Sequence, residues 1–97
     1  MHARVMTYQI HPGKFEEAER IVRESVVSDL KQQKGFKGAM VLTDASRSRS
    51  MSITFWETEE DLTASATSGF VRDQLAKVRD SLAAPPTREA YEVRIQV

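Results

Sequence analysis

"SITFWETEEDLTASATSGFVRDQL" occupies residues 52–75, and its pattern changes abruptly after Trp56, the only tryptophan in the chain. The β-branched and aromatic residues before Trp56 are typical of a strand. Thr58-x-x-Asp61 then resembles a helix N-cap with an acid at the third helical position. The small residues 67–69 interrupt the helix that follows, so this stretch predicts a strand leading directly into a helix in two pieces.

A strand and a helix are also predicted upstream. Residues 3–10 mix β-branched, aromatic and polar side chains and stop where Pro12 and Gly13 mark a break, which predicts the first strand. From residue 14 to residue 34, apolar residues recur at helical spacing opposite charged ones, and Gly35 follows as a C-terminal stop. The apolar stripe consists of Phe15, Ala18, Val22, Val26 and Leu30.

The remaining strands come from a hairpin and from the end of the chain. Residues 36–44 and 50–57 are strand-like runs joined by the polar stretch ASRSR. The second helix continues to the Ala-Ala-Pro-Pro stretch at residues 83–86. Residues 89–97 (EAYEVRIQV) alternate apolar and polar side chains with a period of two, which predicts a strand that runs to the last residue.

The resulting order, βαββαβ, is the order of ferredoxin-like α+β folds, with an antiparallel sheet and both helices on one face. With 97 residues the chain predicts one domain, 1–97. Apolar side chains fall on both parities of the first three strands, as shown by Val5, Met6, Tyr8, Met40, Leu42, Ile53 and Phe55. A bare apolar sheet face is an aggregation hazard, so we expect a homodimer formed by sheet packing.

Composition excludes several classes of function. Lys plus Arg and Asp plus Glu each total 14 and the pI is near 6.7, so no net field favours nucleic acid or an anionic membrane. The chain has no cysteine, which excludes disulfides, thiolate metal sites and a cysteine nucleophile. No apolar run approaches the ~20 residues that span a bilayer. We therefore expect a cytoplasmic protein that binds neither nucleic acid nor membrane.

Four segments resemble the antibiotic biosynthesis monooxygenase-like family of dimeric α+β barrels. They are HPGKFEEAERI, QQKGFKGAMVLTD, SITFWETEEDL and YEVRIQV, and together they extend over nearly the whole chain. The resemblance implies the dimeric barrel fold. It also implies one of three kinds of protein: cofactor-independent oxygenases of phenolic or quinol compounds, haem-degrading monooxygenases, or small proteins without an assigned activity.

The haem-degrading branch is disfavoured by three positions. Its functional asparagine, tryptophan and histidine fall by register on Met6, on Ser65, and on Gln74 or Leu75. None of the three is kept, and the second helix has no histidine to serve as an axial donor. We expect no haem and no other cofactor.

Cofactor-free oxygenation needs only a dry pocket, a group that accepts the substrate proton, and correct orientation, because an electron-rich aromatic anion can itself donate an electron to dioxygen. The candidate pocket, for a small aromatic ligand, consists of Met6, Tyr8, Trp56, Ser65 and Phe70. We expect its mouth near the small residues 67–69. Taken singly, Met6, Trp56 and Phe70 are more simply interpreted as core residues that fill the space between helix and sheet.

The two histidines complete the candidates. His11 precedes a proline and is therefore held extended at a strand end, where it could act as a general base or be a surface turn residue. His2 and His11 lack the spacing with carboxylates that a metal site requires, so no metal is expected.

Two functions stay open. One is a cofactor-independent monooxygenase acting on a small phenolic or quinol compound. The other is a non-catalytic small-ligand-binding or stress-associated dimeric barrel. A closed cavity with converging polar groups favours the enzyme, and a filled helix–sheet interface favours the alternative.

Overall fold

The computed structural model describes all 97 residues and arranges four antiparallel strands and four helices in the predicted order. The elements are β1 (His2–Gln9), α1 (Phe15–Ile21), a π-helical turn (Val22–Val26), α2 (Val27–Lys31), β2 (Phe36–Asp44), β3 (Arg49–Trp56), α3 (Glu59–Thr67), α4 (Phe70–Lys77) and β4 (Thr87–Glu92). The strand order is β2-β3-β1-β4, and all three strand pairs are antiparallel. The predicted ferredoxin-like α+β fold is confirmed.

The first helix differs from its prediction by a π-helical turn. Residues 22–26 form the π-helical turn between α1 and α2, although the flanking residues Ile21 and Val27 keep right-handed helical angles. Apolar periodicity does not report such a turn, because one widened turn changes the stripe only slightly. π-bulges often occur at functional sites, and here the turn contributes to the cavity wall described below.

The transition from β3 to the predicted second helix, which the structure divides into α3 and α4, follows the sequence prediction. Thr58 Oγ1 accepts a hydrogen bond from the Asp61 backbone N–H at 3.1 Å, which caps α3. Helix α3 ends at Thr67, and α4 begins at Phe70. Gly69, with φ of 87°, makes the break in a backbone conformation that glycine adopts without penalty.

The last strand is shorter than predicted at its C-terminal end. Strand β4 covers Thr87–Glu92, and its final residue pairs with His2, at the start of β1. One more bond joins the Val93 N–H to the Met1 carbonyl, and then the partner strand has ended. The prediction of a strand through residue 97 was wrong because the alternating pattern says nothing about where its partner stops.

The predicted C-terminal end of the second helix, which corresponds to α3 and α4, is also wrong. Helix α4 stops at Lys77 and a 3₁₀ turn follows at Arg79–Ser81, whereas the sequence predicted a helix continuing to residues 83–86. Leu82 has extended angles and forms an isolated bridge to Ile10, next to β1. The apolar Leu82 therefore packs as an extended residue beside the sheet and not on a helical stripe.

The two faces of the sheet have different surroundings. Trp56 lies on the helix-covered face, where it forms a small core with Leu30 and Leu62 and meets Phe36 edge-on at 5.8 Å. Apolar side chains of the opposite parity have no covering element, and Met40 and Leu42 are each 49% exposed. None of the helices has the length and apolar character to cross a membrane.

Candidate functional site

A cavity of about 470 Å³ separates the sheet from the helices. Its walls are contributed by β1, β2 and β3 on one side and by α1, the π-helical turn, α2 and α4 on the other. Most of the lining is apolar, and the volume falls in the range of small-molecule sites. Ala39, Val41 and Thr43 of the edge strand β2 line it and are solvent-exposed, so the cavity opens at this edge.

Small side chains on the central strand β3 create this space. Ser50, Ser52 and Thr54 point toward the helices and line the cavity. The larger Ile53 and Phe55 have the opposite parity and lie on the uncovered face. A strand that turns its small polar residues toward the helices cannot fill the helix–sheet gap, and this alternation is the sequence signal for a cavity.

The structure brings together three of the six candidate site residues. Met6, Tyr8 and Phe70 line the cavity, from β1 and from the start of α4. Trp56 and Ser65 are buried outside its lining. His11 is solvent-exposed after β1, and its backbone N–H donates to the Ser81 carbonyl.

The expected mouth at residues 67–69 does not contribute to the wall either. Phe70, directly after this break, is the first residue of the segment that lines the cavity.

Trp56 does not line the cavity but contacts a residue that does. Its side chain is 1% exposed, and its indole N–H donates to Thr54 Oγ1 at 3.0 Å. Thr54 itself lines the cavity. The tryptophan therefore anchors β3 against the helices and contacts a cavity-lining residue without being one.

Ser65 is hydrogen-bonded to Arg4, a residue that was not among the sequence candidates. The Ser65 hydroxyl donates to the Leu62 carbonyl at 2.6 Å and accepts a hydrogen bond from Arg4 Nη1 at 2.7 Å. Arg4 Nη2 also donates to the Leu62 carbonyl, at 2.9 Å. Arg4 is 5% exposed, lines the cavity and makes no salt bridge. Its only signal in the sequence is that it shares the strand parity of Met6 and Tyr8.

The electrostatics at Arg4 are unfavourable for a cation. Burial lowers the pKa of the Arg4 guanidinium, the positive charge of Arg88 lowers it further, and Tyr8 opposes both effects. Arginine stays charged despite such shifts because its ordinary pKa is very high. The cavity wall therefore includes a buried arginine whose hydrogen-bond partners are all neutral.

Tyr8 lies on the same face of β1, two residues beyond Met6. Its hydroxyl is 2.8 Å from Ser52 Oγ, and burial raises its pKa above the ordinary value against the opposing effects of Ser52 and Arg4. The phenol is consequently protonated at neutral pH. It can donate a hydrogen bond to a ligand oxygen, but it is not a base there.

Gln74 provides a polar group on the helical side. Its Nε2 donates to Asp29 Oδ2 at 3.1 Å, which fixes which end of the amide faces the carboxylate. Lys77 Nζ donates a hydrogen bond to the same carboxylate oxygen at 2.5 Å and another to Ser25 Oγ at 2.7 Å. The hydrogen bonds from Lys77 and Gln74 hold the pKa of Asp29 below its usual value. Gln74 Oε1 is left buried without a hydrogen-bond partner, on a residue that lines the cavity.

The cavity wall contains no histidine that could ligate a haem iron. No group of three histidine, cysteine, aspartate or glutamate side chains is positioned to hold a metal ion. Neither His2 nor His11 lines the cavity, and the Tyr8 phenol is protonated and hydrogen-bonded. An iron that depends on an imidazole ligand does not fit these walls.

Comparison with protein families gives one result. The family model for antibiotic biosynthesis monooxygenase matches residues 1–77, which contain all the cavity-lining strands and helices. No match was found among curated proteins.

Solved structures give a consistent fold. A monooxygenase from the gene ActVA-Orf6 of Streptomyces coelicolor, in complex with nanaomycin D, is 18% identical with a TM-score of 0.75, covering 99% of this chain and 89% of its own. A variant of SnoaB, a cofactor-independent oxygenase from Streptomyces nogalater, is 13% identical with a TM-score of 0.73, covering 99% and 95%. At these identities the likeness concerns the fold.

A third similar structure is that of a haem analogue complex. It is a variant of MhuD with two manganese protoporphyrin IX molecules bound per active site, 19% identical with a TM-score of 0.78, covering 100% of this chain and 98% of its own. The same backbone fold thus occurs with bound ligands of very different chemistry.

Proposed function

The chain belongs to the antibiotic biosynthesis monooxygenase family, and from this premise we propose that it is a cofactor-independent monooxygenase acting on a small phenolic or quinol compound. The observation that carries the proposal is the cavity of about 470 Å³ between the sheet and the helices. An interface filled with side chains would have favoured a non-catalytic barrel, and an open volume with a few polar groups in an apolar wall supports a binding site for a small aromatic molecule.

The proposed reaction requires few groups from the protein. The substrate supplies the electrons, one oxygen atom of dioxygen enters the substrate, and the other leaves as water with two substrate hydrogens. The cavity walls must orient the substrate, exclude bulk water and supply a group that accepts the substrate proton. Apolar walls with isolated polar groups suit these tasks, and no metal or organic cofactor is required for them.

Polar residues of β1 and β3 have the clearest role in this proposal. Tyr8, hydrogen-bonded to Ser52 and protonated at neutral pH, donates to an oxygen of the substrate. Met6 and Phe70 shape the apolar part of the wall. Such donors are most effective when neighbouring contacts fix their orientation in advance.

The other sequence candidates have indirect roles in the proposal. Trp56 supports the wall through Thr54, and Ser65 supports it through Arg4. His11 is exposed and follows the cavity-lining Ile10. A general-base role for it therefore requires a substrate that extends out of the cavity toward the end of β1.

We also propose that the functional unit is a homodimer packed through the uncovered sheet face. Met40 and Leu42 are each 49% exposed there, and Tyr91 is 52% exposed. Val5, Ile53 and Phe55 lie on the same face by strand parity. A second copy would cover this contiguous apolar surface, which is costly to leave in water.

The test is oxygen uptake by the purified protein with a panel of phenols, hydroquinones and anthrone-type compounds, without flavin and with a metal chelator present. We expect uptake with a subset of the panel and a rate at least about tenfold lower for Tyr8→Phe, because a positioned hydrogen-bond donor contributes on that scale. Ser28→Ala, which removes an exposed hydroxyl of α2 outside the cavity and away from the proposed dimer face, is the control. No uptake across the panel, with the wild-type protein folded, would contradict the proposed function.

A further inference from the structure

The most unusual group in the molecule is the buried guanidinium of Arg4. It is 5% exposed, and its hydrogen-bond partners are the neutral Ser65 hydroxyl and the Leu62 carbonyl. No carboxylate lies within ion-pair distance, whereas all eight salt bridges of the protein involve other residues. Buried charges are normally paired, so this exception requires an explanation.

A purely structural role explains only part of the geometry. The two hydrogen bonds join β1 to α3, and a neutral donor could supply them without the cost of burying a charge. A guanidinium has five N–H donors, and two of its hydrogen bonds are accounted for here. Arg4 also lines the cavity, so this side chain borders a space that a ligand can fill.

The surroundings strengthen the positive potential at this part of the wall. Arg88 lies on the adjacent strand, opposite Met6 in register, and its charge acts unfavourably on Arg4. Glu19 is the only carboxylate among the residues that line the cavity, and it belongs to α1, where it forms a salt bridge with Arg23. The protein therefore provides no anion of its own to compensate Arg4.

We infer that the ligand of this cavity is an aromatic anion whose ionised oxygen, a phenolate or a hydroxyquinone enolate, pairs with Arg4. This inference rests on the proposed function, since it names the ionisation state of the proposed phenolic substrate. The guanidinium compensates the ligand charge, and the ligand compensates the buried guanidinium. The neutral Tyr8 hydroxyl, on the same strand face, donates to a second oxygen.

The pairing also bears on reactivity. A cation beside the substrate oxygen lowers the pKa of that oxygen and keeps the bound compound in its anionic, electron-rich form. Arg4 is a positioning and charge-stabilising residue in this account. It transfers no proton, because arginine does not deprotonate in proteins.

The experiment compares two ligands of nearly equal shape and different charge. 2-Hydroxy-1,4-naphthoquinone is ionised at neutral pH, and its 2-methoxy analogue is neutral. Calorimetric titration of the wild-type protein should give tighter binding of the anion by at least about tenfold, as expected for a hydrogen bond to a charged group. Equal affinities, or tighter binding of the methyl ether, would overturn the inference without any variant being made.

Variants then assign the preference to Arg4. Arg4→Gln should abolish it while leaving the affinity for the methyl ether within about threefold, and Arg4→Lys should keep part of it. Ser65→Ala removes the structural bond but keeps the charge, so it should retain the preference. Arg88→Gln removes an exposed positive charge nearby and controls for the general electrostatic field. A preference that survives in Arg4→Gln, or that is lost equally in Ser65→Ala, would overturn the assignment.

The outcomes separate this inference from the proposed function. Selective anion binding that depends on Arg4, without oxygen uptake by any compound, would support the inference and contradict the monooxygenase. Oxygen uptake with equal binding of the two naphthoquinones would do the reverse.

Discussion

Arg4 and Ser65 are joined by a hydrogen bond of 2.7 Å between Nη1 and Oγ, which links strand β1 to helix α3 across 61 positions of sequence. Arg4 also lines the cavity. One side chain thus fixes the distance between sheet and helix and contributes to the wall of the site, so changes at Ser65 and at Arg4 should have separable effects on stability and on binding.

We expect Ser65→Ala to lower the free energy of unfolding by about 1–3 kcal/mol, because it leaves a buried charged donor with one partner fewer. Chemical denaturation monitored by Trp56 fluorescence measures the change. Ser28→Ala, at an exposed position of α2, is the control and should be close to neutral. Equal unfolding midpoints for the two variants would show that the Arg4–Ser65 bond contributes no net stability.

Gly35 closes the turn between α2 and β2 directly against α3. Its φ is 79°, and a Cβ there would overlap the side chain of Asp61. Gly35→Ala should therefore cost the left-handed backbone penalty of about 1–2 kcal/mol and an additional steric cost. Gly13→Ala has a similar φ of 83° with nothing within 4 Å, so it isolates the backbone penalty. Thermal unfolding should rank wild type, Gly13→Ala and Gly35→Ala in decreasing stability, and equal losses in the two variants would contradict the contact with Asp61.

The protonation of Tyr8 gives a pH prediction. Burial raises the pKa of Tyr8 above the ordinary 10.0, so the folded state binds this proton more tightly than the unfolded state does. The resulting stability is fully present below the ordinary pKa and is lost as the pH rises through the raised value. In Tyr91→Phe, Tyr8 is the only tyrosine left, and its phenolate absorbance should appear at a higher pH in folded than in urea-unfolded protein. Coincident titration curves would show that the hydroxyl is not held in its neutral form.

The element order of this fold could be predicted from sequence because the signals are local: periodicity, the Thr58 cap, and the breaks at Gly35 and Gly69. The end of β4 could not, since it depends on where β1 begins. The buried charge at Arg4 could not either, because an arginine in an alternating strand normally indicates a solvated face.

The candidate site residues were also only partly predictable from the sequence. Met6 and Tyr8, which share one face of β1, and Phe70, predicted where the sheet meets the second helix, line the cavity. Trp56 and Ser65 were predicted at the same junction as Phe70 but pack one layer behind the wall. Sequence spacing resolves which face a residue occupies, and it does not resolve how deep in that face the side chain ends.

The uncovered sheet face gives a prediction about assembly. If two copies pack through it, Leu42→Lys should shift the protein toward monomer in sedimentation experiments, because a charge would be buried at the interface. Val41→Lys, with 46% exposure on the opposite face of the same strand, should leave the dimer intact. Deleting residues 93–97, which lie beyond β4, should preserve the protomer fold. A wild-type protein that sediments as a stable monomer at micromolar concentration would contradict the dimer.

The final prediction uses Trp56 as a reporter of the cavity. Its indole N–H is bonded to Thr54, which lines the cavity, and Phe70 both lines the cavity and packs against the tryptophan core. A ligand that fills the space should therefore change Trp56 emission saturably without touching it.

Two phenylalanines make a matched pair for this test, since Phe36 packs against the same core but does not line the cavity. Phe70→Ala should weaken the affinity for 2-hydroxy-1,4-naphthoquinone by roughly tenfold or more, because it removes apolar wall area that the ligand buries. Phe36→Ala should lower stability with little effect on affinity in the molecules that remain folded. If the two variants weaken binding equally, or if saturating ligand leaves the emission unchanged, then the ligand does not occupy the space between β3 and α4.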